Sequence, residues 1–418
     1  MNMLNATPAG QRIVELDLIR GLALFGIIVV NIAFFGLPFY TVMSDLYPFS
    51  GTLDAVSRAM VDIFFTGKFI SLFSFLFGLG FWIFASRARA KGRMAGPLFL
   101  RRIFILALFG ILHGILFWAG DVLLPYAVIG LLLMLFLNRS DRTLRIWIFL
   151  FPVLFLLFYA GMVQLMQIGL NVPEAKDQIL ASFDESRQMM EQTAIAATEA
   201  YRSTDIGAMI SIRMKELAFA WQGLIFAEIN AFYLLALFLC GVYAGRRNWF
   251  QNMEDKLPVM RRYLPWLLIA GLLSSLLRYY FSLQAEVIMP TWESFWVMLL
   301  HMGGSPLLTA SYVIMLVLAY HRWKNARIWT CLGAAGRMSL TVYLTQSIIL
   351  SLVFFGYGAG LYGTIPTSGM VLIAVGVFAL QLLAAGWWIQ RFHMGPFEWI
   401  WRAATYGHFS PFRKNPDA

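Results

Sequence analysis

Charged residues are scarce in this chain, and their scarcity excludes most soluble folds. Only 13% of the 418 residues are Asp, Glu, Lys or Arg, against 60% that are hydrophobic. Soluble domains carry about 25% charged residues, and a soluble chain of this length would form two or three domains. The composition instead predicts a single all-α polytopic bundle, because long apolar runs cross the bilayer as helices.

Cysteine is also rare, and no pattern typical of a metal site or a disulfide framework is present. Cys240 and Cys331 lack metal-ligand spacing. Both fall at the predicted inner face, where a structural disulfide is not expected. The first seventeen residues lack the apolar core and cleavage site of a removable signal peptide, so we expect the first apolar run to remain as an anchor. Matching motif pairs between the two halves are lacking as well, which disfavours a transporter built from repeats.

Ten apolar runs of roughly 17–29 residues are long enough to cross the bilayer as helices. The predicted spans are 18–39, 68–86, 98–118, 122–138, 144–168, 217–245, 263–283, 292–320, 337–356 and 369–390. Two further segments are too polar to cross. Residues 52–67 predict an amphipathic helix on the outer face, and residues 395–406, rich in Trp and Tyr, predict an interfacial helix after the last span.

The loops between these spans alternate in charge, which predicts their orientation. Segment 87–102 carries six basic residues and no acid, and segment 321–337 carries four basic residues and no acid. Segment 171–213, on the opposite side, has seven acids against four bases. The positive-inside rule then places both termini in the cytoplasm of a bacterial inner-membrane protein. The net charge of +10 follows this sidedness, so we expect membrane lipids as partners and no nucleic acid.

A few polar side chains interrupt the apolar runs, and counting from the span ends places them in one central layer. These residues are Asn31, His113, Glu228, His301 and Gln346. Asp121 and Arg278 lie above that layer, toward the outside. Polar groups inside a bundle face inward and pair with one another, so the pattern predicts a central polar pocket that opens outward. A lone Asn or Gln has the alternative role of bridging two helices.

His113 is the residue best suited to acid–base catalysis, because a histidine side chain can accept a proton from a hydroxyl near neutral pH. Asp121 could orient the imidazole ring or contact the substrate. The two residues would be about 12 Å apart along a straight helix, so direct contact requires a kink at Gly114 or Gly120, or a bridging water. A metal on His113, His301 and Glu228, or a haem between the two histidines, lacks any supporting motif, and we predict no metal.

Five blocks of sequence, in order, resemble the YeiB-like family of bacterial polytopic membrane proteins, a distant branch of the transmembrane acyltransferase superfamily. The blocks are LDLIRGLALFGIIVVNI at 16–32, FSFLFGLGF at 73–81, RRIFILALFGILHGILFWAGDVLLPYAVIGLL at 101–132, GRMSLTVYLTQS at 336–347 and GPFEWIWRAATY at 395–406. In acyltransferase relatives a His commonly stands where this chain has Asn31. The resemblance therefore implies that His113 would be the base, with Asn31 positioning the substrate or an oxyanion.

The spans and the resemblance together divide the chain into three parts. Residues 1–170 form an acyltransferase-like half with five spans, and residues 217–418 form a YeiB-type half with five spans and the C-terminal helix. Residues 171–216 form a periplasmic helical insertion, which is either a solvated connector or a lid over an outward-facing site.

The leading hypothesis is an inner-membrane transferase that moves an acyl or similar group to an envelope glycan, lipid or small molecule. His113 and Asp121 would be catalytic, and the donor would be acyl-coenzyme A or another acyl donor. Arg20 would hold a donor phosphate or carboxylate, or would simply pair with Asp17. The predicted substrate-binding residues are Arg20, Asn31, Glu228, Arg278, His301 and Gln346. A transporter or lipid-binding protein is the alternative, and a scaffold is a third. The oligomeric state stays open, a homodimer included.

Overall fold

The computed structural model describes residues 13–44, 47–92, 94–227, 230–286 and 288–414. These residues form α-helices joined by short turns, and they contain no β-strand. The helices are α1 Val14–Gly36, α2 Phe39–Met43, α3 Thr52–Phe64, α4 Lys68–Ala90, α5 Ala95–Leu116, α6 Leu123–Leu132, α7 Asp141–Leu170, α8 Pro173–Arg202, α9 Ile206–Phe226, α10 Ala231–Arg246, α11 Met253–Ser282, α12 Trp292–Arg322, α13 Arg327–Arg337, α14 Ser339–Phe354, α15 Thr367–Arg391 and α16 Pro396–Tyr406.

The predicted all-α polytopic membrane bundle is confirmed. Seven stretches of the described chain are long and apolar enough to cross a bilayer. Six are the single helices α1, α5, α7, α11, α12 and α15, and the seventh is α3 together with α4. An eighth arises if α13 and α14, which meet at an angle of 87°, count as one broken span. α1 is the most buried of these stretches and packs against α4, α13, α14 and α15 at the centre of the bundle.

Three of the ten predicted spans are not long continuous helices. The predicted span 337–356 contains α14, which has 16 residues and meets α13 at an angle of 87°. Residues 122–138 contain α6 and a short 3₁₀ segment, Leu133–Phe136, which together are shorter than the other spans. The prediction of one helix over 217–245 is wrong, because α9 ends at Phe226 and α10 begins at Ala231. The Asn230 side chain accepts a hydrogen bond from the Tyr233 backbone N–H at 3.0 Å. Asn230 is therefore an N-cap that starts a new helix.

The polar insertion is helical, as predicted, and lies over one end of the bundle. α8 and α9 form a helical hairpin. The Arg202 Nε donates to the Tyr362 carbonyl at 2.8 Å, and the Arg213 Nη1 donates to the Leu116 carbonyl at 2.6 Å. These bonds hold the hairpin against the end of α5 and against the loop that joins α14 to α15. The contacts favour a cap over the bundle rather than a loose connector.

The C-terminal helix α16 packs along the middle of α5. Trp401 Nε1 donates to the Arg102 carbonyl at 3.0 Å, and the rings of Phe397 and Phe109 meet edge to face. Glu398 Oε1 accepts hydrogen bonds from the backbone N–H groups of Leu340 and Thr341 at 2.7 and 3.0 Å. Glu398 therefore caps the N-terminus of α14 at the bend, where the helix dipole favours a carboxylate.

Candidate functional site

His113 and Asp121 are in direct contact. The His113 Nδ1 lies 2.8 Å from the Asp121 Oδ1, and both side chains are buried. The contact needs no kink within a continuous helix, because α5 ends at Leu116 and the chain turns back through residues 117–122 before α6 begins. That the two residues act together stays a prediction. The separation of about 12 Å along a straight helix does not apply, because the turn brings the two side chains into contact.

Asp121 is held in place from its other side. The Asp121 Oδ2 accepts a hydrogen bond from the Leu124 backbone N–H at 2.8 Å, in the first turn of α6. The N-terminus of a helix complements a negative charge, so α6 favours the carboxylate at this position. With the carboxylate fixed, the Nδ1 of His113 is the nitrogen that donates, and Nε2 is left as an acceptor. Nε2 is buried and has no hydrogen-bond partner among the described residues.

Two glycines on α5 allow the turn to approach the helix. A Cβ built on Gly110 would lie 2.4 Å from the Leu124 N and 2.7 Å from the Asp121 Oδ2. A Cβ built on Gly114, one helical turn later, would lie 3.8 Å from the Asp121 Cβ and 3.3 Å from the Leu217 side chain of α9. A side chain at Gly110 would therefore displace Asp121, and α9 closes over the same surface.

Aromatic side chains surround the pair. The Tyr343 ring of α14 lies 5.2 Å from the His113 ring, and the Tyr343 hydroxyl accepts from the Val122 N–H at 3.4 Å. Trp118, in the turn, stacks on Phe35 of α1 at 5.0 Å. Sequence reasoning missed Tyr343, although it lies inside the quoted block 336–347, because a membrane Tyr carries no signal that distinguishes it from packing.

The depth predicted for His113 is wrong. His113 lies in the last turn of α5, three residues before Leu116, rather than midway through its span. The predicted span 98–118 lies too far along the chain, because α5 begins at Ala95 and ends at Leu116. The pair lies at the end of the bundle that α8 and α9 cover. His113 and Asp121 are only 2% and 7% exposed, so the described residues close over the pair rather than leaving the expected open pocket.

Arg278 and His301 are both buried, and Arg278 belongs to a second polar cluster around Asp62. The Arg278 guanidinium forms an ion pair with Asp62 of α3, and the Lys68 Nζ donates to the Asp62 carbonyl at 3.2 Å. His301 packs edge to face against the Tyr233 ring at 5.4 Å. Asp62 and Lys68 were missed because Asp62 falls in a segment predicted to lie on the surface, and Lys68 opens a span.

The other predicted binding residues have simpler surroundings. The Arg20 Nη1 lies 3.1 Å from the Asp17 Oδ1, so the pairing alternative for Arg20 is present. The Gln346 Nε2 donates to the Leu24 carbonyl at 3.4 Å, which bridges α14 to α1. Asn31 is half-buried on α1. Glu228 lies outside the described residues. Within the described residues no three His, Cys, Asp or Glu side chains come together as metal ligands.

The chain is similar to three proteins of bacteria over nearly its whole length. It is 33% identical to "Uncharacterized protein YxaH" of Bacillus subtilis (strain 168), with 99% of each chain covered. It is 27% identical to "Uncharacterized 39.9 kDa protein in amylase 3'region" of Bacillus acidopullulyticus, with 98% of each covered. It is 26% identical to "Uncharacterized protein YeiB" of Escherichia coli (strain K12), with 94% of this chain and 96% of YeiB covered. Residues 244–408 match the family "Protein of unknown function (DUF418)". No solved structure matches the chain.

Proposed function

The chain belongs to the YeiB-like family, and we propose that it is a bacterial inner-membrane transferase that moves an acyl or similar group to an acceptor of the cell envelope. The acceptor would be a hydroxyl of a glycan, a lipid or a small molecule. One observation carries this proposal: His113 is bonded through Nδ1 to Asp121, while its Nε2 is buried and meets no partner among the described residues. A base and its orienting carboxylate have this arrangement in acyl-transfer enzymes.

In this reaction the Nε2 of His113 accepts the proton of the acceptor hydroxyl as its oxygen attacks the acyl carbon. A new ester bond forms, the bond from the acyl carbon to the donor breaks, and the donor's leaving group takes the proton back from Nε2. Asp121 stabilises the imidazolium that forms between these steps and holds the ring in one tautomer. The hydrophobic surroundings strengthen both effects, because charges interact more strongly where water is excluded.

Asn31 and Tyr343 would position the reactants. Asn31 precedes Phe35 by about one helical turn on α1, and Phe35 stacks on Trp118 beside the pair. An amide or a phenol hydroxyl can donate to the oxyanion that develops on the acyl group. Gln346, His301 and Arg278 would bind substrate only through a rearrangement, since each already has a contact within the bundle.

An acyl donor such as acyl-coenzyme A would reach the pair from the inner side. Arg20 could hold a phosphate there, because guanidinium forms paired hydrogen bonds with phosphate oxygens. Phe35 lies fifteen residues beyond Arg20, or about 22 Å along α1. A donor held at Arg20 would therefore need an extended arm of that length.

The test is mass spectrometry of envelope lipids and glycans from cells that lack the chain and cells that overproduce it. The proposal predicts a product heavier by one acyl group that appears only when the chain is present. Identical profiles in the two strains, at verified levels of protein, would contradict it.

Carriage of a small molecule without covalent chemistry is the second candidate function. The buried cluster around Asp62 supports it, because ionisable groups inside a membrane commonly mark a path for a substrate or ion. Under this alternative an unmodified small molecule would co-purify with the protein. Its retention would depend on Arg278 and not on His113.

A further inference from the structure

Three arginines from distant parts of the chain lie close together at the base of the bundle. Arg20 of α1 and Arg402 of α16 each lie within electrostatic range of Arg102 on α5. Asp17 offsets part of this positive charge through its ion pair with Arg20. The Glu398 carboxylate is engaged by the N-terminus of α14.

Arg102 is held rigidly at the centre of this group. Its guanidinium lies 3.9 Å from the centre of the Trp401 ring and 5.3 Å from the Phe84 ring. Stacking on aromatic faces fixes the plane of a guanidinium while its edge stays able to donate hydrogen bonds. Arg102 is partly buried, whereas its neighbour Arg101 is exposed.

A groove lined mainly by apolar side chains lies on the surface of α5, and Arg101, the sequence neighbour of Arg102, forms part of its wall. It has a volume of about 420 Å³ and lies between α5 and α16, lined by Leu100, Arg101, Phe104, Ile105 and Ala404. Phe104 is 73% exposed and Leu100 is 45% exposed, so the groove opens sideways on the surface that faces lipid. The Arg101 Nη2 donates to the Ala404 carbonyl at 3.4 Å at the groove's edge.

We infer that this groove binds an anionic phospholipid of the inner leaflet. The phosphate would lie against Arg101 and Arg102, with the charge of Arg402 behind them, and one acyl chain would lie along Leu100 and Phe104. The charge favours an anionic headgroup, and basic pockets between helices on the cytoplasmic side suit such lipids. The sideways opening favours a ligand that arrives from the bilayer over a soluble phosphate. The inference does not depend on acyl transfer.

The test is native mass spectrometry of the purified full-length protein titrated with phosphatidylglycerol or phosphatidylcholine. The wild-type protein should retain phosphatidylglycerol in preference to phosphatidylcholine. Arg102→Gln should weaken retention of phosphatidylglycerol about fivefold, as expected for the loss of one basic contact at a membrane surface. Arg145→Gln, which removes an exposed basic residue of α7, is the matched control and should leave the preference unchanged.

A second variant keeps the inference testable if Arg102→Gln fails to fold. Ala404→Phe fills the groove from an exposed position of α16 without any change of charge, and it should reduce retention of both lipids at this site. Retention of phosphatidylglycerol by Ala404→Phe at the level of the wild type and of Arg145→Gln would overturn the inference. So would displacement of the lipid by soluble coenzyme A at low concentration, because the site would then recognise phosphate without the chain.

Discussion

The Asp121 carboxylate joins two helices, accepting from the Leu124 N–H of α6 through one oxygen while its other oxygen lies 2.8 Å from the His113 Nδ1 of α5. The turn between these helices thereby fixes both the position of the carboxylate and the tautomer of the histidine. Although the two residues are only eight positions apart in sequence, their contact depends on how the chain reverses direction between α5 and α6.

Gly110→Ala should separate the pair. The new Cβ would lie 2.4 Å from the Leu124 N and would force the turn away from α5. We expect a loss of about 1–3 kcal/mol in the free energy of unfolding, typical of an overpacked core, together with loss of any activity that needs the pair. Thermal unfolding in detergent measures the first effect.

Gly161→Ala on α7 is the control, because a Cβ there meets nothing within 4 Å. It should leave the melting temperature unchanged or slightly raised, since alanine favours a helix. Equal melting temperatures for the two variants would show that the close approach at Gly110 does not hold the turn.

Arg213→Met should loosen the cover over the site. Arg213 donates to the carbonyls of Ile115 and Leu116, which have no partner within α5 because the helix ends there. Leaving these carbonyls unpaired should cost about 1–3 kcal/mol and should increase hydrogen exchange at the end of α5. Lys215→Met, an exposed charge on the same helix, should do neither. Unchanged exchange in Arg213→Met would mean that α9 does not hold the site closed.

Glu216 should make stability depend on pH. Burial raises the pKa of this carboxyl to about 7, although the Tyr201 hydroxyl donates to it. The raised pKa means that the folded state keeps a proton that the unfolded chain has already released. The contribution of Glu216 to stability should therefore be fully present below about pH 4.5 and should be lost as the pH rises through about 7, by up to about 3 kcal/mol.

The measurement is the melting temperature across this pH range in the wild type and in Glu216→Gln. The amide cannot ionise, so the slope should be smaller in the variant. Glu199→Gln, on the neighbouring helix α8, serves as a control that keeps the slope. Parallel curves for the wild type and Glu216→Gln would show that Glu216 is not the titrating group.

The membrane class and the long spans could be predicted from the sequence, because the length of an apolar run and the charge of a loop are properties of neighbouring residues. The sequence also singled out His113 and Asp121, because polar groups in apolar runs are rare. The turn after Leu116 was harder to foresee. Leu116 and Phe117 continue the apolar run, and the close approach rests on Gly110, whose role appears only once α6 packs against it.

The second cluster shows why the remaining contacts were missed. Asp62 lies in an amphipathic segment, and its pairing with Arg278 joins residues more than two hundred positions apart. Nothing local in either segment indicates that partner. The break at Asn230 was missed for a related reason, since an Asn inside an apolar run can be a buried polar group or a helix cap.

Product formation by His113→Gln shows whether His113 is the base. The wild type, His113→Gln and the exposed control His408→Gln would be expressed to equal levels, and acylated envelope products would be quantified by mass spectrometry. We expect that His113→Gln forms no product above background while keeping its melting temperature near that of the wild type, and that His408→Gln is fully active. Product formation by His113→Gln at the wild-type level would contradict the assignment of His113 as the base.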